Sequence, residues 1–567
     1  MRSLRLPAVL AALALVATAC TDEGGEAGDG SYPRDETLYT TGTAWDPPTS
    51  WNPMMRGGYA VGTIGLVYEP LFHYDPEEGE YEHWLAESDD WPDESTHVIN
   101  LREGVTWSDG EPLVAQDVIT TLELAEVDGV PYSHVWDYVD TAEATDDHTV
   151  TVNFSEDRPQ QWMNWAYGNP ILPDHIWSDM DDTQVTESPN EEPVGTGSYV
   201  YESHDDERMV WERNEDWWGA DALDLSMDAR YIVDIVNATN EVTMGMLTQH
   251  EVDLSNNFLP GIDQVLDGDE EITSFYDGPP YMRSANTAWL VPNHEVEPLD
   301  DPEFRQALAH SIDLDQIVEG PYSNLVEPAN PTGLMPEWDE FVDHELVEDE
   351  GFTHNMDEAV AILEEAGYVD ESGDGYVETP DGDPIELTLE VPSGWTDWME
   401  SARLIAEHAQ EVGINITDET PDDELVNSNR NSGEYDLVIN NDMQLSNTPW
   451  TYYNYIFQLP VQEEQTTANF HRYENEEAWA LTEQLAAVPA EDTEGIAAAT
   501  SELQEVFLED LPVIPLWYNG QWAQTSTANW TNWPSEQDDT PNTPNVLWDG
   551  WYEMGFIHTL AEIEPVE

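Results

Sequence analysis

The chain has 567 residues, with 121 Asp and Glu against 14 basic residues, all of them Arg, and a formal charge of −107 at pH 7. At 40% apolar and 10% aromatic residues it is a folded chain long enough for two large lobes, not a disordered acidic tail. Nothing in it could neutralise phosphates, which excludes nucleic acid as a partner, and its surface would repel itself except in strong salt, where the Debye length falls to about 3 Å at 1 M.

In chain order, the first 19 residues carry two Arg and then an apolar run too short to span a bilayer. Small residues lead into Cys20, the single cysteine. This resembles a bacterial lipoprotein signal, with Ala17 where Leu is usual, and implies lipidation of Cys20; an ordinary signal peptide is the alternative. Residues 20–35 are rich in Gly and acids and read as a tether. TVTVNF (149–154) and IELTLEV (385–391) alternate as strands do. Pro112 precedes a helical run near 114–124. Asp301-Pro302 starts a second helix, with Phe304, Ala307, Leu308 and Ser311 on one face. Ala359, Ile362, Leu363 and Ala366 mark a third before Gly367. Trp398, Ala402, Ile405, Ala409 and Val412 mark a longer one before Gly413. Helix, glycine and strand in this order indicate α/β lobes.

Five segments, read together, resemble the extracellular solute-binding proteins of family 5, the oligopeptide- and dipeptide-type receptors of ABC importers. They are VYEPLFHYDPEEGEYEHWLAES (67–88), INLREGVTWSDGEPLVAQDVITTLE (99–123), PVGTGSYVYESHDDERMVWERNEDWWG (193–219), DPEFRQALAHSIDLDQIV (301–318) and EAVAILEEAGYVDESGDGYVETPDG (358–382). The resemblance implies an α/β, two-lobed periplasmic-binding-protein-like fold of type II with an extra subdomain in lobe 1. On that basis lobe 1 covers 36–285 with an insertion at about 79–194, lobe 2 covers 286–520, and 521–567 returns to lobe 1. It also implies a monomer outside the cytoplasmic membrane, held there through its lipid anchor alone. Such a receptor encloses a small ligand, delivers it to the transmembrane subunits of a permease, and catalyses nothing.

The ligand class must come from the pocket residues. Peptide-binding relatives typically carry an acidic residue here, in a pattern like G-W-x-x-D-x-x-D-P, to pair with the ligand's ammonium. Counting back from Pro449, that position falls at Leu445 or Ser446, and Asp442 is out of register. The surrounding stretch, NNDMQLSNTPWTYYNY (440–455), is instead rich in amides and flat rings. Sugar rings stack on aromatics, and their hydroxyls pair with Asn and Gln. The candidates are Trp45, Trp51 and Asn52; Asn256 and Asn257; Trp395; and Asn440, Asn441, Asn447, Trp450 and Tyr453. YIVDIVN (231–237) and SNTPWTYYNYIF (446–457) resemble the cellobiose- and β-gluco-oligosaccharide-binding branch. A β-linked oligosaccharide is the expected ligand, with xylo- and manno-oligosaccharides in the same class and an oligopeptide as the alternative.

No cofactor is expected. Asp370, Ser372, Asp374, Tyr376 and Asp381 are spaced like a Ca²⁺ loop, but Asp stands where a Glu is usual, and a Gly-Asp turn explains the same residues. No metalloprotease, nucleophile-elbow or P-loop motif is present.

Overall fold

The computed structural model describes residues 32–566 except 43, 45–46, 56–58, 76–79, 128, 133, 156–158, 444–445, 491 and 538–554. The signal segment, Cys20 and Trp45 lie outside the described residues.

The strands that build the first lobe are β1 (Thr37–Thr41), the hairpin β2 (Phe72–Asp75) and β3 (Glu80–His83), β4 (Ala86–Asp93), β5 (Thr96–Leu101), β6 (Val139–Asp146), β7 (Thr149–Phe154), β8 (Tyr199–His204), β9 (Arg208–Arg213), β10 (Tyr231–Ile235), β11 (Leu254–Ser255) and β12 (Ile272–Thr273). The second lobe holds β13 (Ser284–Pro292), β14 (Glu327–Pro328), β15 (Leu387–Glu390), β16 (Ile416–Glu419), β17 (Leu437–Asn440) and β18 (Ile514–Gly520), after which β19 (Gln524–Ser526) rejoins the first. One sheet runs β12-β19-β11-β1-β10-β9-β8, the other β14-β18-β13-β17-β15-β16, and a third, β4-β5-β7-β6, is an antiparallel subdomain. The chain passes between lobes twice, over 274–283 and 521–523. The passages lie side by side, with Gln521 N–H donating to Arg283 O at 2.6 Å.

Five helices matter below: α1 (Ala115–Glu123), α2 (Pro159–Gly168), α3 (Asn240–Thr248), α4 (Thr396–Glu411) and α5 (Trp450–Phe457). The two-lobed α/β expectation is met. The strand expected at 149–154 is β7, and the run at 385–391 holds β15. The expected helix terminators work as glycines do: Gly367 and Gly413 both have φ above +90°.

The family-like segments converge on buried hydrogen bonds in the first lobe. Glu69, 1% exposed, receives the indole N–H groups of Trp84, Trp217 and Trp218 at 2.9–3.1 Å and the Thr196 hydroxyl at 2.6 Å. Two of the five family-like segments, 67–88 and 193–219, therefore close on one carboxylate. Burial pushes its pKa up, and the four donors oppose that shift. Asp117, also buried, ties Trp107 Nε1 (3.3 Å), Val114 N–H (2.8 Å) and Asp174 N–H (2.8 Å) together and so anchors the start of α1. Gly195 and Gly197 pass so close to the irregular helical turn Thr63–Val67 that an added Cβ would lie 1.9 Å from Val67 O or 2.0 Å from Leu66 O.

Three arginines serve as cross-links between backbone carbonyls. Arg305, 1% exposed, donates to Leu299, Asp510 and Leu511 O. Arg472 donates to Asn431, Gln462 and Glu463 O, and Arg102 to His83 and Trp84 O. Only a planar guanidinium can serve several carbonyls this way. The N-terminal end is held by the ion pair of Arg34 with buried Asp253, at 2.5 and 2.7 Å.

Candidate functional site

Ligands of open α/β sheets bind outside the carboxyl ends of parallel strands. In the first lobe β1 is parallel to β10 and β11, so that edge holds Asn237, Asn256 and Asn257. In the second, β15 is parallel to β16 and β17, and the edge holds Trp395, Asn440 and Asn441. Six of the amide and aromatic residues near these edges come from sequence positions 237 to 441.

The expected site residues fall into three groups. Asn256, Trp395 and Asn441 lie at the strand edges and are not claimed by a bond deep in their own lobe. Asn256 Nδ2 donates to Trp522 O at 3.4 Å, and its Oδ1 is buried without a hydrogen-bond partner. Trp395 is 41% exposed at the start of α4, edge-on to Trp398 with ring centroids 4.8 Å apart. Asn441 is half-buried just past the end of β17.

A second group is committed to its own lobe. Asn52 is fully buried, with Nδ2 donating to Val185 O (2.8 Å) and Ser188 O (2.9 Å) and Oδ1 accepting from Met54 N–H (2.8 Å). Trp51 packs on Tyr201 and His204. Asn257 bonds Ser255 and Asn240. Asn440 Oδ1 accepts from Tyr455 OH at 2.6 Å and Asp442 N–H at 3.1 Å. Trp450 and Tyr453, 8% and 0% exposed on α5, are core residues; Tyr453 stacks on Phe457 at 6.1 Å.

The third group joins the lobes. Asn447 Nδ2 donates to Tyr81 OH. Its Oδ1 accepts from Tyr167 OH (3.3 Å) and its carbonyl from Tyr74 OH (3.4 Å). Next to it, Thr448 Oγ1 donates to Gln160 Oε1, and Gln160 Nε2 donates to Leu485 O (2.7 Å) and Val488 O (2.5 Å). The hairpin β2–β3 and α2 thus meet the second lobe through a buried polar contact. Sequence pattern gives no signal for Gln160, because its partners lie about 290–330 residues away.

The acids near the seam have protein partners. Asp442 Oδ2 lies 2.6 Å from Arg430, Glu337 pairs with Arg283 at 3.4 Å, Asp234 accepts from Thr40 OH at 2.7 Å, and Glu390 from Asn429 at 2.9 Å. Ser446 is 6% exposed, its hydroxyl bonded to Thr448 O at 2.9 Å and its carbonyl accepting from Trp338 Nε1 at 3.2 Å.

At the calcium-like loop, Asp370 and Asp374 gather with Glu378, their oxygens within 4.8 Å of one another. Asp370 already accepts from Gly373, Asp374 and Gly375 N–H, and Glu378 from Glu371 and Ser372 N–H. These bonds help hold the turn, and Glu378, not Asp381, completes the cluster. Among the described residues no helix is long and apolar enough to cross a membrane.

Residues 80–462 match the description "Bacterial extracellular solute-binding proteins, family 5 Middle". Two structures of a Thermotoga maritima protein described as an oligopeptide ABC transporter, periplasmic oligopeptide-binding protein are 40% identical and cover 94% of this chain and 99–100% of theirs. Their TM-scores are 0.88 and 0.90, and the first holds mannohexaose. A probable peptide-binding protein, YejA, of Agrobacterium fabrum is 24% identical over 517 residues, 83% of this chain and 82% of its own. The oligopeptide-binding protein AppA of Bacillus subtilis, in complex with a nonapeptide, shares the fold at 18% identity and a TM-score of 0.76, covering 94% of this chain and 99% of its own. The chain belongs to family 5 of the bacterial extracellular solute-binding proteins, the solute-capturing component of an ABC importer.

Proposed function

We propose that this receptor captures a neutral β-linked oligosaccharide, cellobiose-like or of the related manno and xylo classes, and hands it to its permease. The observation that carries the reading is the state of the position where peptide-binding relatives put an acid. Ser446 there is neutral, buried and already bonded, and the nearby Asp442 is neutralised by Arg430. A peptide ammonium buried in that place would lack a counter-charge, at a cost of several kcal/mol. Amide and indole groups on both strand edges suit hydroxyls and ring faces instead. The mannohexaose held by a relative 40% identical supports the same class.

Ligand binding shifts an open–closed equilibrium by its difference in affinity for the two states. The Gln160–Thr448 and Asn447–tyrosine contacts fit the closed state. Anchoring through lipid on Cys20, and a need for high salt, belong to the same proposal. Calorimetric titration of the mature protein in molar salt with cellobiose, laminaribiose, xylobiose, mannohexaose and a tripeptide mixture tests it. A saturable signal from a sugar with silence from peptides is the expected result. Heat from peptides alone would replace this reading with the oligopeptide alternative that its curated relatives suggest.

A further inference from the structure

The second passage between the lobes carries an indole with no role so far. β13 runs antiparallel to both β17 and β18, so β18 points the same way as β17, which is parallel to β15. The carboxyl end of β18, at Gly520, therefore lies on the same sheet edge as Trp395 and Asn441. In the first lobe, Ser255 at the carboxyl end of β11 is in register with Gln524 at the start of β19. The passage 521–523 thus joins the carboxyl edges of both sheets, and Trp522 is its middle residue.

Its neighbours Gln521 and Ala523 are buried, while Trp522 stays partly open. Gly520 makes room for the indole: an added Cβ there would lie 2.9–3.1 Å from three carbons of its six-membered ring. The ring meets Phe258 of the first lobe at 5.2 Å with planes 65° apart, and Phe258 in turn meets Tyr322 of the second lobe at 5.6 Å. Asn256, 7% exposed, is held beside Trp522, its Nδ2 donating to Trp522 O at 3.4 Å. That bond fixes which end of the amide is left over: Oδ1 is buried without a hydrogen-bond partner among the described residues. Buried polar atoms are normally satisfied, so a leftover acceptor where two carboxyl edges meet marks a place where another molecule completes the bonding.

The geometry points to Trp522 as a ring-stacking residue of the ligand site, with Asn256 Oδ1 beside it accepting from one sugar hydroxyl. A pyranose offers both partners at once, an apolar C–H face for the indole and a hydroxyl for the amide oxygen. A peptide ammonium could donate to the same oxygen, so peptides are the control. This assignment rests on the oligosaccharide reading. Trp522 and Asn256 are joined by their own hydrogen bond, so this subsite does not wait for the lobes to close. It is the part of the site that a sugar meets in the open form.

The test is titration of cellobiose, its monodeoxy analogues and mannohexaose into the wild type, Trp522→Ala, Trp522→Phe and Asn256→Leu in molar salt, with a tripeptide mixture as the control. Unliganded thermal midpoints show which variants fold. Trp522→Ala is expected to lose about tenfold in sugar affinity, and Trp522→Phe to recover part of it. One monodeoxy cellobiose should bind the wild type about tenfold more weakly than cellobiose does, while Asn256→Leu binds the two equally, because the missing hydroxyl and the missing acceptor belong to one bond. Sugar affinity unchanged in both Trp522→Phe and Asn256→Leu overturns the assignment, even where Trp522→Ala does not fold, and leaves the oligosaccharide reading standing. Equal losses in Trp522→Ala and Trp522→Phe overturn the stacking, and monodeoxy penalties that all persist in Asn256→Leu overturn the acceptor. Silence of the wild type toward both sugars, with heat from the peptides, overturns the oligosaccharide reading and the assignment together.

Discussion

Indoles serve opposite ends in the two lobes. Around Glu69, three of them turn their N–H groups inward onto one carboxylate and vanish from the surface. At the end of β15, Trp395 stands 41% exposed with its ring edge against Trp398. The first set lies in segments that resemble the family signature, and the second does not. The signature thus reports what holds the first lobe together, while the ligand residues proposed at the strand edges lie outside it. A motif that identifies a receptor family so clearly can be silent about what the receptor binds.

The sharpest way to break this contrast is to strike the inner set. Glu69→Leu leaves four buried donors unmet, each costing about 1–3 kcal/mol, so a loss of at least about 4 kcal/mol is expected. Denaturant unfolding in molar salt reads it, and material that remains folded should bind ligand normally. Next comes Trp450→Ala, which empties a core position on α5 and should cost about 3–5 kcal/mol of stability; an affinity loss with unchanged unfolding would put Trp450 back on the ligand. Gln160→Ala removes three hydrogen bonds between lobes and should weaken binding by about 1–3 kcal/mol through the open–closed balance. Small-angle scattering of the variant with ligand should then show a more open form. The smallest effect is expected from Trp395→Ala: about 0.5–1.5 kcal/mol in sugar affinity and no change in thermal midpoint. If its midpoint dropped instead, the outer ring would be structural and the contrast would fail.

Much of the fold was legible in sequence because it is written locally. Asp301-Pro302, the glycines after Ala366 and Val412, and the alternation in 149–154 each act within a few residues, and each element formed where expected. The strand ends carrying Trp395 and Asn441 follow from the same local pattern. The site was less legible. Asn52 and Asn447 have the chemistry of ligand residues, but partners 133 to 366 positions away claim their amides. Composition cannot tell a hydroxyl on a sugar from one on Tyr167.

The arginines that cross-link backbone carbonyls have a consequence for closure. Guanidinium groups turned inward at Arg102, Arg305 and Arg472 leave few cations to offset the 121 carboxylates carried by the chain. Bringing two such acidic lobes together does Coulomb work unless mobile cations gather between them. Each closure event therefore takes up ions, and the salt of the medium enters the binding equilibrium as a stoichiometric reactant. A plot of log affinity against log salt should rise, and its slope counts the cations drawn in as the lobes shut.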